Sequence, residues 1–160
     1  MKPMSTKCKV IYTLIMNIPI ALFISLTAQL LAIMAGEAPG FSFVLLAENF
    51  GLAYVISFIV GMCIPAVKWG VGFAMACKAK PDSLPFGLLV NVIVNLVYVV
   101  VNCLCLTYFN VCLLNHAPFW PVYFLSIAKM FIPIYIVGYI VSFLWNRPAE
   151  KIARNITKEN

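Results

Sequence analysis

The chain has 160 residues, of which 64% are hydrophobic and 10% charged, with a formal net charge of +6. Soluble domains run at about 45–50% apolar and about 25% charged. The composition therefore excludes a soluble globular enzyme, a disordered chain and a nucleic-acid-binding module. A bilayer core about 30 Å thick takes a helix of about 20 apolar residues. Four such helices with short connections use most of this length, so the chain reads as an all-α integral membrane protein with four transmembrane helices.

Lys2, Lys7 and Lys9 precede the first span, about Val10 to Ala35. That run is longer than the roughly 7–15 residues of a secretory signal core, so an uncleaved first span is expected. Gly36, Pro39 and Gly40 punctuate a turn. The second span runs from about Phe43 to Val67, and the polar stretch Lys78–Ser83 divides the chain near its middle. The third covers about Leu84 to Phe109, and His116, Pro118 and Pro121 mark the next connection. The fourth ends near Trp145, before Asn146-Arg147-Pro148. Pro65 and Pro148 are expected to end membrane segments. The stretches Ala66–Lys80 and Ala149–Lys158 after them are expected as short basic helices on the inner leaflet.

Charge gives direction. Ten of the eleven basic residues precede span one or follow spans two and four, whereas the two other connections carry none. Lys and Arg concentrate on cytoplasmic segments, which predicts both termini in the cytoplasm. The acceptor-like Asn155-Ile-Thr157 then never meets the glycosylation machinery.

The chain repeats itself. Tyr54-Val-Ile-Ser-Phe leads to Pro65-Ala-Val-Lys68, and Tyr139-Ile-Val-Ser-Phe leads to Pro148-Ala-Glu-Lys151; the two prolines are 83 residues apart. Upstream, Ala47-Glu48-Asn49-Phe50 matches Ala128-Lys129-Met130-Phe131 at a separation of 81. These matches predict two units, 1–80 and 81–160, each of two spans. An even number of spans preserves orientation, so the repeats are expected to be parallel, about an axis along the membrane normal. The first helix carries Ile15-Met16-Asn17-Ile18-Pro19, and each unit closes on a proline followed by basic residues. In this the chain resembles the bacterial family "domain of unknown function 2798", as a tandem of its two-helix unit. The resemblance implies a small bacterial inner-membrane protein and brings no established activity. The third span departs from it, lacking Met-Asn-x-Pro.

Polar residues inside the spans are the functional candidates. Asn91, Asn95, Tyr98, Asn102 and Cys105 are spaced by 4, 3, 4 and 3, which places them on one helix face. Such a face turns away from lipid. It either lines a polar pathway or ties helices together by amide hydrogen bonds, worth about 0.6–2 kcal/mol each. Asn17, Ala21, Ser25, Ala28 and Gln29 form a second face on span one, where Pro19 removes a backbone bond. A site built from Asn17, Gln29, Asn91, Asn95 and Asn102 is neutral and suits a small polar solute or a weakly held ion. Glu48 and Lys129 are the ionisable residues well inside apolar sequence, tyrosines and cysteines aside. They are read either as an intramembrane ion pair across the repeat axis or as two side chains snorkelling to the outer headgroups.

Enzyme chemistry has little support. His116 is the only histidine and sits without a neighbouring acid; no C-x-x-C pair or phosphate-binding glycine loop occurs. Five of the six cysteines lie in or beside apolar runs, where free thiols act as small apolar residues. No metal or cofactor is expected. A homodimer is a candidate assembly; the bilayer is the expected partner, and the sequence names no soluble one. Two functions remain open: permeation or transport of a small polar solute or ion, or a non-transporting membrane protein that binds or stabilises a partner.

Overall fold

The computed structural model describes residues 4–81, 83–116 and 118–158. Lys2 of the N-terminal basic cluster and Asp82 of the mid-chain polar stretch lie outside the described residues. Every element is helical: α1 (Thr6–Met34), α2 (Phe43–Cys63), α3 (Ala66–Ala76), α4 (Leu84–Thr107) and α5 (Phe124–Thr157). Wide π turns over Tyr108–Leu114 extend α4, and a short segment, Phe119–Tyr123, kinked at the extended Trp120 (φ −117°, ψ 131°), leads into α5. Four helical stretches are long and apolar enough to cross a membrane: Thr6–Met34, Phe43–Cys63, Leu84–Leu114 and Phe119–Thr157.

Local chemistry sets the boundaries. Ser5, Ser42 and Ser83 each accept a backbone N–H from the residue three positions on, so three helices start on a serine cap. Gly36, at φ 72°, closes α1. There Gly36 N–H reaches Ile33 O and Glu37 N–H reaches Ala32 O, which satisfies two orphan carbonyls. Lys78 performs the same turn after α3 at φ 58°, with Ala79 N–H on Ala74 O.

Two boundaries differ from expectation. α2 stops at Cys63, because Pro65 (φ −78°, ψ 49°) breaks the chain into the separate helix α3. Pro148 ends nothing: α5 runs through it for 34 residues, about 51 Å at 1.5 Å per residue. The stretch after it is therefore a continuation of α5 rather than a separate surface helix. Tertiary packing overrides the local penalty, as it commonly does for helices. Ala149 and Ala153 are fully buried on α5, Cys8 is fully buried on α1, and these two helices pack on each other. Tyr12 donates to Asn146 Oδ1 at 2.7 Å in the same region. Cys8 thus belongs to a packed helix end.

The long helices follow one another around a four-membered bundle: α1 packs on α2 and α5, and α4 on α2 and α5. Both described chain ends and the α2–α4 connection meet at one end, called here the terminal end. The connections 35–42 and 115–123 form the loop end. α3 lies against α4 through Ala66, Gly70 and Ala74. Gly70 is required there, since a Cβ would sit 2.6 Å from the Val90 carbonyl oxygen.

Outward positions carry large apolar side chains such as Phe23, Ile59, Val100, Ile136 and Leu144. The interior instead collects small and polar ones: Ala21, Ala53, Ser57, Asn95, Asn102 and Ser142. A soluble bundle does the reverse. The observed distribution is that expected of helices in a surround as apolar as leucine, where large apolar groups gain nothing by hiding.

Candidate functional site

The third-span stripe divides by height. In the terminal half its asparagines hold helices together. Asn91 Nδ2 donates to Tyr139 O (3.1 Å) and to Ser142 Oγ (2.9 Å), and Ser142 Oγ donates to Asn91 Oδ1 (3.1 Å). Asn95 Nδ2 donates to Tyr135 O at 2.9 Å. Gly138 permits that approach, for a Cβ there would lie 2.8 Å from Asn95 Oδ1. Asn102 Nδ2 donates to Ser57 Oγ on α2 at 2.9 Å. Tyr98 turns its hydroxyl to Gly61, where a Cβ would stand 2.5 Å from it. These residues form an interhelical network rather than the wall of an open pathway.

The two halves of the chain share a further pattern. Tyr54 OH donates to Leu14 O at 3.2 Å, and Tyr139 OH donates to Leu88 O at 3.1 Å. Asn17 and Asn91 each follow the accepting leucine by three residues, and Ser57 and Ser142 each follow the donating tyrosine by three. Ring pairs repeat as well: Phe50–Tyr54 at 6.1 Å and Tyr135–Tyr139 at 6.3 Å between centroids. The node is closed in the second half only. Asn17 is 1% exposed and its Nδ2 has no partner among the described residues, while Ser57 accepts from Asn102 instead. The prolines of the repeat motif do not act alike, since Pro65 breaks a helix and Pro148 lies inside one; Lys68 and Lys151 are both exposed.

In the loop half the bundle opens into a cleft of about 130 Å³ between α1, α2, α4 and α5. Ser25 and Gln29 of α1 line it, with Asn49 of α2, Thr107 at the end of α4, Asn110 of its extension, and Ser126 of α5. Its floor is apolar, with Ile24, Cys103, Leu106 and Ile134. The π turns shape the wall: Asn115 N–H bonds Asn110 O, five residues back. Such wide turns recur at functional sites. They bring Asn110 to Asn49, and the two amides bond reciprocally at 2.7 and 3.3 Å.

Two wall atoms have no partner. Gln29 is 4% exposed; its Nε2 donates to Ser42 O at 3.0 Å, and its Oε1 bonds nothing. Ser25 is 1% exposed and its Oγ bonds nothing. Unsatisfied buried polar atoms cost about 1–3 kcal/mol each, and here two belong to residues that line one cavity.

Glu37 lines the mouth, and Lys129 reaches its Oε1 at 3.5 Å from α5. The expected Glu48–Lys129 pair is not formed. Glu48 is exposed on α2 and has no ion pair among the described residues, while the turn after Gly36 carries Glu37 to Lys129 instead. The sequence reading found Ser25 and Gln29 but missed Glu37, Asn49, Asn110 and Ser126. Asn49 and Asn110 were visible as amides in apolar runs. Their pairing depends on π turns that a 3.6-residue periodicity does not follow.

No protein-family model matches the chain, and no curated protein or solved structure matches it either.

Proposed function

We propose that the chain is a small integral protein of a bacterial cytoplasmic membrane whose loop-end cleft takes a small polar solute, for permeation or transport. One observation carries this reading: Gln29 Oε1 and Ser25 Oγ are buried without a partner among the described residues, and both residues line the same cavity. Its volume is close to the roughly 150 Å³ cavity that admits benzene, so a solute of about six heavy atoms fits. The basic residues on the terminal side support cytoplasmic termini with the cleft facing outward. The shared Tyr-x-x-Ser and Leu-x-x-Asn nodes support a tandem of two-helix units, 1–80 and 81–160. The resemblance to domain of unknown function 2798 rests on the sequence motifs alone.

The terminal half favours a second reading. Asn91, Asn95 and Asn102 are bonded across helices, so the protein can also be a non-transporting solute receptor. The test is thermal unfolding of the purified protein with glycerol, acetamide or propylammonium. At least one should raise the unfolding temperature saturably, and Ala28→Phe, which fills the cleft, should abolish the rise. No saturable rise with any small polar solute sinks the proposal. Flux of the stabilising solute in proteoliposomes then separates transporter from receptor.

A further inference from the structure

The buried and half-buried amides of the cleft engage most of their N–H groups within the protein. Gln29 Nε2 is engaged by Ser42 O. Asn49 Nδ2 is engaged by Leu45 O and Asn110 Oδ1. Asn110 Nδ2 is engaged by Asn49 Oδ1 and Leu106 O. Five of the six N–H groups of these three amides are therefore engaged within the protein. Gln29 Oε1 is an acceptor by elimination, since only its NH₂ group can donate to the Ser42 carbonyl. The buried wall groups left without a partner among the described residues are Gln29 Oε1, an acceptor, and the Ser25 hydroxyl, which can accept as well as donate.

Charge points the same way. Glu37 carries the only formal charge among the described residues lining the cleft. Its link to Lys129 is 3.5 Å long, with side chains 43% and 56% exposed. Charge-assisted N–H···O bonds run at about 2.7–2.9 Å, so this pair is loose. The rest of the floor is hydrocarbon from Ile24, Leu106 and Ile134.

We propose that the cleft binds a short primary alkylammonium ion, its N–H donors on Gln29 Oε1 and Ser25 Oγ and its alkyl chain on Ile24, Leu106 and Ile134. This rests on the reading of the cleft as a solute site. Glu37 provides the countercharge, without which burial of a cation is costly. Lys129 carries the same ammonium chemistry on a tether and competes for Glu37. A bare alkali ion leaves the apolar floor unused, and an anion meets lone pairs and a carboxylate. The volume of about 130 Å³ limits the ligand to a chain of about three to five carbons.

Cys103 lies in the floor and serves as the reporter. The protein keeps Cys103 alone, with Cys8, Cys63, Cys77, Cys105 and Cys112→Ser. Its labelling by neutral methyl methanethiosulfonate is followed by mass spectrometry at pH 7, where an alkylamine is protonated. Propylammonium is expected to protect Cys103 saturably, and 1-propanol, similar in size, to protect poorly. Glu37→Gln should raise the half-protecting concentration by up to about fivefold, the range of an exposed ion pair. Lys129→Gln should lower it. Both substitutions are at exposed positions and should leave the circular dichroism unchanged. Equal protection by propanol, with Glu37→Gln silent, overturns the ammonium assignment and leaves the cleft standing. A rise on Lys129→Gln overturns the competition. A Cys103 that labels only after unfolding overturns the cleft and the assignment with it.

Discussion

Asn17 and Asn91 each follow a tyrosine-bonded leucine by three residues yet should respond oppositely to the same substitution. Asn91→Leu removes two donated bonds and one accepted bond. Intramembrane bonds of this kind are worth about 0.6–2 kcal/mol each. Ser142, whose one hydroxyl proton serves either Asn91 Oδ1 or Tyr139 O, turns to Tyr139 O and is not orphaned. The expected loss is therefore about 2–4 kcal/mol. Asn17→Leu removes an amide whose Nδ2 is buried without a partner. Relieving such a donor offsets any loss of packing, so the change should be neutral or stabilise by up to about 1–2 kcal/mol. Titration with a denaturing detergent, read by circular dichroism and tryptophan fluorescence, gives both values. Equal costs for the two substitutions, or a larger cost at Asn17, would refute the asymmetry on which the paired nodes depend.

Further outcomes follow from the same geometry. Gly138→Ala should cost about 1–3 kcal/mol by pushing Asn95 off the Tyr135 carbonyl, and the cost should shrink in an Asn95→Ala background when measured as a double-mutant cycle. Tyr54→Phe and Tyr139→Phe each remove one bond to a helix carbonyl on the preceding long helix. Each should lose about 0.5–1.5 kcal/mol, and unfolding titrations giving grossly unequal losses would count against equivalent roles.

Much of the architecture is legible in composition and spacing. Apolar runs mark four helices because a spanning segment has to be long and nearly uncharged. Gly36 announces the end of α1, where its turn satisfies orphan carbonyls. Pro148 misleads because a proline's local cost says nothing about Ala149 and Ala153 packed beyond it. The asparagine stripe of α4 is readable as one face. Which part of that face is bonded and which opens into space is set by residues on other helices, Ser57, Tyr135 and Ser142 among them. Charge pairing was the least readable feature. Helical register puts Glu48 and Lys129 at similar heights, whereas the left-handed turn at Gly36 decides that Glu37 meets Lys129.

The central claim is a hydrated cleft that is open at the loop end and closed beneath Cys103. Sided cysteine labelling tests it most directly. Protein with Cys103 as its only cysteine is compared with protein whose only cysteine is Val99→Cys, one helical turn nearer the terminal end, where Val99 is 0% exposed. A small membrane-impermeant thiosulfonate is added to either face of oriented vesicles. The account predicts that Cys103 reacts from the loop face alone and that Val99→Cys stays unreactive from both. Reaction of Val99→Cys, reaction of Cys103 from the terminal face, or an inert Cys103 would contradict it.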